Sequence, residues 1–203
     1  MPLLNIQQIH HQTWLGLWAV SESSEEILSR FPILKNEYED ACLRFANEGK
    51  RRERMCVRAL MVEMNHGQTV DICYNTDGKP MLGDGRRISI SHTKGVVAVI
   101  VSEKQTVGVD VEYYSDRVRK VAAKFVRQDE WTDDVNALLI IWSAKEAVYK
   151  LFSEDHLWFD EMRTAPFDTQ RDGEIRVENL KRNTSVCVHY KFENEYVLTY
   201  VVL

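Results

Sequence analysis

No stretch of this 203-residue chain is apolar enough to span a bilayer; the longest apolar run, residues 96–101, falls far short of the twenty or so residues a helical span needs. Near the N-terminus stand Asn5, Gln7, Gln8, His10 and His11, where a secretory signal would need an apolar run. Cysteine is sparse. Cys42, Cys56, Cys73 and Cys187 are scattered without a C-x-x-C pair, which argues against a disulfide framework and suits free thiols in a reducing cytosol. A cytoplasmic protein is therefore expected. Basic charge is not in excess: 26 Lys and Arg against 31 Asp and Glu leave a net charge of −5, so nothing favours nucleic acid or an anionic membrane as a partner. There is no glycine-rich loop of the Walker or Rossmann type, so any phosphate would have to be held by separate side chains. Low-complexity segments and internal sequence repeats are absent as well.

What is present is ordinary globular material, 44% hydrophobic and 28% charged, with five Trp, eight Tyr and seven Phe to fill one large core or two small ones. Residues 6–20 read as a strand. Ser23 and Glu26 have capping-box spacing, and Pro32 ends the short helix they start. Residues 36–46 have helical spacing and Gly49 interrupts. Residues 50–65 then form an amphipathic helix whose first turns carry Lys50, Arg51, Arg52, Arg54 and Arg58. Strands are expected at 70–74, 87–91 and 96–101, with a turn at Asn75-Thr76-Asp77-Gly78. The polar stretch 102–106 divides the chain into a first half, 1–103, and a second, 104–203. The second half opens with a strand at 107–112 and continues with a helix at 117–124, a turn or short helix at 125–131, a long helix at 135–152 and strands at 174–177, 185–191 and 196–201. Both halves read as α+β, a small, mostly antiparallel sheet packed with helices.

The strand 107–112 carries the first chemical signal. Val107, Val109 and Val111 alternate with Gly108, Asp110 and Glu112, so the two carboxylates share a face about 6–7 Å apart. Their repulsion calls for a cation, a proton or solvent; a solvated acidic edge and a metal site both fit. On the long helix, Glu146 and Lys150 are four residues apart, with Trp142 one turn earlier on the same face. Ser91 and His92 are strand neighbours on opposite faces and so cannot form a nucleophilic dyad. Arg54 and Arg58, also four apart, could clamp a phosphate. Asp110, Glu112 and Glu146 together offer a hard oxygen site suited to Mg²⁺. The residues alone thus point to a Mg²⁺-dependent enzyme acting on a phosphate ester or anhydride, and they leave its substrate open.

Gly108-Val109-Asp110-Val111-Glu112, followed about thirty residues later by Trp142-Ser143-Ala144-Lys145-Glu146-Ala147-Val148-Tyr149-Lys150, resembles the signature pair of the 4′-phosphopantetheinyl transferases. Arg58 on the first-half helix, the turn Gly78-Lys79-Pro80, the strand Ser89-Ile90-Ser91-His92 and the segment from Phe125 to Glu130 are similar to further family elements, in order. The two-half length resembles the larger, surfactin-synthetase-activating branch. That likeness implies a pseudo-twofold monomer with its active site between the halves. It further implies transfer of the phosphopantetheine arm of coenzyme A to a serine of an apo acyl or peptidyl carrier protein, releasing adenosine 3′,5′-bisphosphate.

By the same resemblance Asp110, Glu112 and Glu146 would ligate Mg²⁺ on the pyrophosphate, and Lys150 would contact that pyrophosphate. Arg58, Lys79 and His92 would bind the nucleotide-side phosphates, with Ser91 lining the pocket. Glu146, Lys150 and Asp110 are the catalytic candidates. Arg117, Arg119, Lys120 and Lys124, on the helix expected after the acidic strand, form a candidate patch for an acidic carrier. Two other readings use the same residues: a Mg²⁺-dependent nucleotide or phosphate-ester hydrolase, and a non-catalytic protein that binds coenzyme A or a carrier. Residues 152–172 resemble nothing in the family pattern.

Overall fold

Residues 6–20, expected as one strand, fold back on themselves as β1 (Leu3–His10) and β2 (Thr13–Ala19). Gln12 makes the reversal with φ 52°, in the left-handed region. No Gly, Pro or Asn marks that turn, which is why local composition hides it. The computed structural model describes residues 2–203, and they fall into two units, Met1–Lys104 and Gln105–Leu203.

In the first unit, three helices follow the hairpin: α1 (Ser24–Arg30), α2 (Lys35–Arg44) and α3 (Glu48–Met64). The Ser23–Glu26 capping box starts α1, and Phe31 closes it ahead of a 3₁₀ turn at Pro32–Leu34. Gly49 does not interrupt the chain. It lies in the first turn of α3, whose N-cap Asn47 accepts the Lys50 N–H. After α3 come a short antiparallel pair, β3 (Ile72–Tyr74) and β4 (Pro80–Leu82), then β5 (Arg87–Thr93) and β6 (Val96–Ser102). The main sheet is antiparallel with strand order β1-β2-β6-β5. Met55, Leu60 and Met61 of α3 meet Trp18, Ile88, Val97 and Val99 in its core. Gly16 of β2 admits α3 closely: a Cβ there would strike the side chains of Met64 and Leu60.

In the second unit β7 (Val107–Tyr113) leads into a single helical turn, α4 (Val118–Val121), and a 3₁₀ turn at Ala122–Lys124. The basic, apolar helix expected across 117–124 is thus shorter and irregular. The long helix α5 (Val135–Leu151) is capped by Asp134, whose carboxylate accepts the Asn136 N–H. β8 (Met162–Thr164), three residues long and without alternation to betray it, precedes β9 (Asp172–Asn179), β10 (Thr184–Phe192) and β11 (Tyr196–Val202). The sheet is antiparallel with order β7-β11-β10-β9-β8. Twelve of the 17 residues of α5 are buried, so it is a core element rather than a surface helix. Leu138, Ile141, Val148 and Leu151 pack with Ile175, Val177, Val188 and Val197, each such side chain contributing roughly 1.5–3 kcal/mol. Both units are α+β, as the sequence predicts.

Candidate active site

β7 is an edge strand, yet it is not a solvated one. Asp110 is 3% exposed, because β11 pairs with it (Thr199 opposite Asp110, Val201 opposite Gly108) and α5 packs on its acidic face. Gly108 explains how the helix comes so near. A Cβ at that position would collide with the carbonyl oxygen of Ala147, so only glycine lets α5 lie against the strand.

That approach brings the two signature stretches together, residue by residue. The Trp142 indole N–H donates to Glu112 Oε1 at 2.9 Å. The Ser143 hydroxyl, fully buried, donates to Asp110 Oδ2 at 2.8 Å, and Thr199 of β11 donates to the Ser143 carbonyl at 2.9 Å. Lys150 Nζ lies 2.7 Å from Asp110 Oδ1 and also donates to the Val109 carbonyl at 3.0 Å. Among the described residues, none donates a hydrogen bond to Glu146. Burial pushes its carboxyl up to about 7, and the nearby Asp110 and Glu112 carboxylates add to the rise against the pull of Lys150. Glu112 is also raised, first by burial and then by Asp110.

Lys145, the remaining charged residue of the helix signature, turns the other way. It is wholly buried, with Nζ 2.6 Å from Glu130 Oε2 and donating to the carbonyls of Phe125 and Phe159 at 2.8 and 3.2 Å. Glu130 in turn accepts from the Arg127 backbone and from the hydroxyl and backbone N–H of Thr164. Burial lowers the Lys145 pKa, and the Glu130 contact opposes the drop. The pair ties α5 to the segments before and after it. In the same region Phe125 meets Trp142 edge to face, with centroids 4.8 Å apart, and Trp142 stacks on Phe159 at 5.2 Å. A cavity of about 320 Å³ opens beside Glu146, lined by Tyr149, His156, Leu157, Trp158, Phe159 and Met162.

Among the described residues, no three His, Cys, Asp or Glu side chains converge closely enough to hold a metal ion as they stand. Lys150 occupies one oxygen of Asp110, Ser143 the other, and Trp142 an oxygen of Glu112. The donor set nonetheless fits a divalent cation. All its atoms are hard oxygens, and Glu146 is a partly buried carboxylate with no hydrogen bond and an ionised form disfavoured by its neighbours, so the cluster is short of positive charge.

In the first unit, a second cavity of about 320 Å³ gathers Lys50, Glu53, Arg54, Arg58 and His92, with Phe45, Tyr74, Pro80 and Ile90 as apolar walls. Ile90 and His92 share one face of β5. Ser91 is buried on the other face, outside the cavity wall. Gly78 and Pro80 line the cavity while Lys79 between them does not; its backbone N–H donates to the Asn75 side chain at 2.8 Å. Arg54, Arg58 and His92 are expected from the sequence; Phe45 and Tyr74 are not, because Phe45 reads there as part of a helical apolar repeat and Tyr74 as the end of a short strand. No role is expected for Ser143 or Lys145, although a lysine among Ile141, Ala144 and Val148 on a core helix is a signal of burial with a partner.

Residues 106–201 match the family model of the 4′-phosphopantetheinyl transferase superfamily. The match lies within the second unit, covers just under half of the chain, and takes in both β7 and α5. It supports a transferase of the phosphopantetheinyl kind. No curated protein matches the chain. Among the described residues, no helix is long and apolar enough to cross a membrane.

Proposed function

We propose that this protein is a two-half, surfactin-synthetase-activating type of phosphopantetheinyl transferase that moves the 4′-phosphopantetheine of coenzyme A onto a serine of an apo carrier protein. The observation that carries the reading is the interlocking of β7 with α5. Each polar residue of the helix signature has a distinct place: Trp142 on Glu112, Ser143 and Lys150 on Asp110, Lys145 on Glu130, and Glu146 left without a partner.

The reaction forms a bond from the serine oxygen to the β-phosphorus of coenzyme A and breaks the anhydride, releasing adenosine 3′,5′-bisphosphate. Such a displacement needs positioning and charge neutralisation more than covalent help from the protein. Asp110, Glu112 and Glu146 would hold Mg²⁺, which when bound neutralises the pyrophosphate and polarises its oxygens. Lys150, a cation already seated on Asp110, is placed to balance the charge gathering on the leaving group. Glu146, the carboxylate of the three that no hydrogen bond engages among the described residues, is the candidate to take the serine proton. The apolar cavity beside it suits the pantoyl end of the arm, whose gem-dimethyl group follows directly after the phosphate. Arg58 and His92, lining the first unit's cavity with Tyr74 as an aromatic wall, would take the nucleotide end. Lys79 would reach the same phosphates by a side-chain movement.

The test is release of adenosine 3′,5′-bisphosphate, measured with coenzyme A and Mg²⁺ in the presence and absence of an apo carrier. Release that depends on the carrier supports transfer. Equal release without any acceptor assigns the site to a hydrolase instead.

A further inference from the structure

The cations of the first unit's cavity are already engaged. Arg58 Nε lies 2.9 Å from Glu37 Oε2, and Arg54 Nη2 lies 2.8 Å from Asp40 Oδ2 and 3.4 Å from Glu37 Oε2. Glu37 and Asp40 are three residues apart on α2 and so share a face, which α2 turns toward these α3 arginines. His92 Nδ1 stands 3.5 Å from Glu53 Oε2; among the described residues Lys50 makes no ion pair. Arg58 is only 4% exposed, and its Nη1 is buried with no partner, as is Nε of Arg54. Each arginine therefore has one part of its fork satisfied by an acidic residue of α2 and another part unused. A buried guanidinium with an open donor is a site for an oxyanion.

We propose that Glu37, supported by Asp40, is an acidic counter-latch on the phosphate-binding arginines, and that it competes for them with a doubly charged terminal phosphomonoester. An entering anion meets Arg58 while the Glu37 carboxylate still holds it. A weakly charged ligand gains little there, because it must share the guanidinium with a full carboxylate or displace it. A dianionic phosphate competes on better terms. The latch thus lowers affinity most for a nucleotide that carries the terminal phosphate and little for one that lacks it. This rests on the reading that the cavity receives the nucleotide end of coenzyme A.

The experiment is calorimetric titration of the full chain with coenzyme A and with dephospho-coenzyme A, which lacks the 3′-phosphate, for the natural protein, Glu37→Gln and Asp40→Asn. Melting temperatures of each variant check the fold. The latch predicts that E37Q binds coenzyme A roughly three- to tenfold tighter, the worth of one partly buried ion pair, with D40N shifting the same way by less. Dephospho-coenzyme A should change under about twofold, since the competing phosphate is missing. Weaker coenzyme A binding by a folded E37Q would overturn the proposal and make Glu37 a residue that merely positions Arg58. An equal gain for both ligands would overturn it too, as a general charge effect. If the natural protein binds neither ligand, the nucleotide reading of the cavity itself fails.

Discussion

Glu146 carries the largest chemical consequence of any single side chain here. Its folded pKa of about 7 stands above the ordinary 4.5 of an unfolded glutamate. Between those values the folded protein holds a proton that the unfolded chain has lost, so stability falls as pH rises through that window. In chelator, urea denaturation should show a loss of about 1–2 kcal/mol between pH 5 and pH 8, allowing for partial exposure, and Glu146→Gln should flatten it. A divalent cation competes with the same proton. Mg²⁺ should therefore raise the melting temperature at pH 8 more than at pH 5.5, and a pH-independent shift would count against Glu146 as a ligand.

At the scale of elements, the geometry depends on how closely α5 lies against β7. Gly108→Ala would drive a methyl group into the Ala147 backbone, and neither a strand nor a core helix can yield cheaply. It should cost at least about 2 kcal/mol in chemical denaturation and lower activity with it, because Asp110 is two residues along. Lys145→Met leaves Glu130 without its cation inside the second unit and should cost about 3–5 kcal/mol, most of it recovered by the double variant with Glu130→Gln. The sequence made this pair of elements legible for simple reasons. Period-two alternation over 107–112 and a long apolar helical repeat over 135–151 are strong local patterns, and the charged residues break them at informative places. The same local signals identified α3 and the Ser23–Glu26 cap. What stayed hidden depends on contacts far apart in sequence. The β1–β2 reversal turns on a left-handed Gln12, and the three-residue β8 has no periodicity. The hold of α2 acids on α3 arginines, Glu37 to Arg58 above all, is a tertiary contact that no local pattern in either helix announces. By motif Lys79 resembled a phosphate contact and Ser91 a pocket-lining residue, but strand alternation turns Ser91 away from the cavity wall, and Lys79 donates its backbone N–H to the neighbouring turn.

For the whole molecule, the net charge of −5 means that an acidic carrier would be repelled unless a local patch outweighs it. Arg117, Arg119, Lys120 and Lys124 are exposed, and no ion pair engages any of them among the described residues. They sit on the short turns that follow β7 in the chain. Reversing two of them, Arg119→Glu with Lys120→Glu, should raise KM for the carrier about tenfold and steepen neither the coenzyme A dependence nor the unfolding curve. An unchanged carrier KM would place docking elsewhere.

The β7–α5 carboxylates are proposed to support direct transfer of phosphopantetheine from coenzyme A to a protein serine. Intact-protein mass spectrometry of an apo carrier, incubated with coenzyme A, Mg²⁺ and either the natural protein or Glu146→Gln, tests it most directly. The account predicts a mass gain of one phosphopantetheine on the carrier with the natural protein and a rate at least about 100-fold lower with the variant. No gain on any of a panel of carriers, or an undiminished gain with Glu146→Gln, would contradict it.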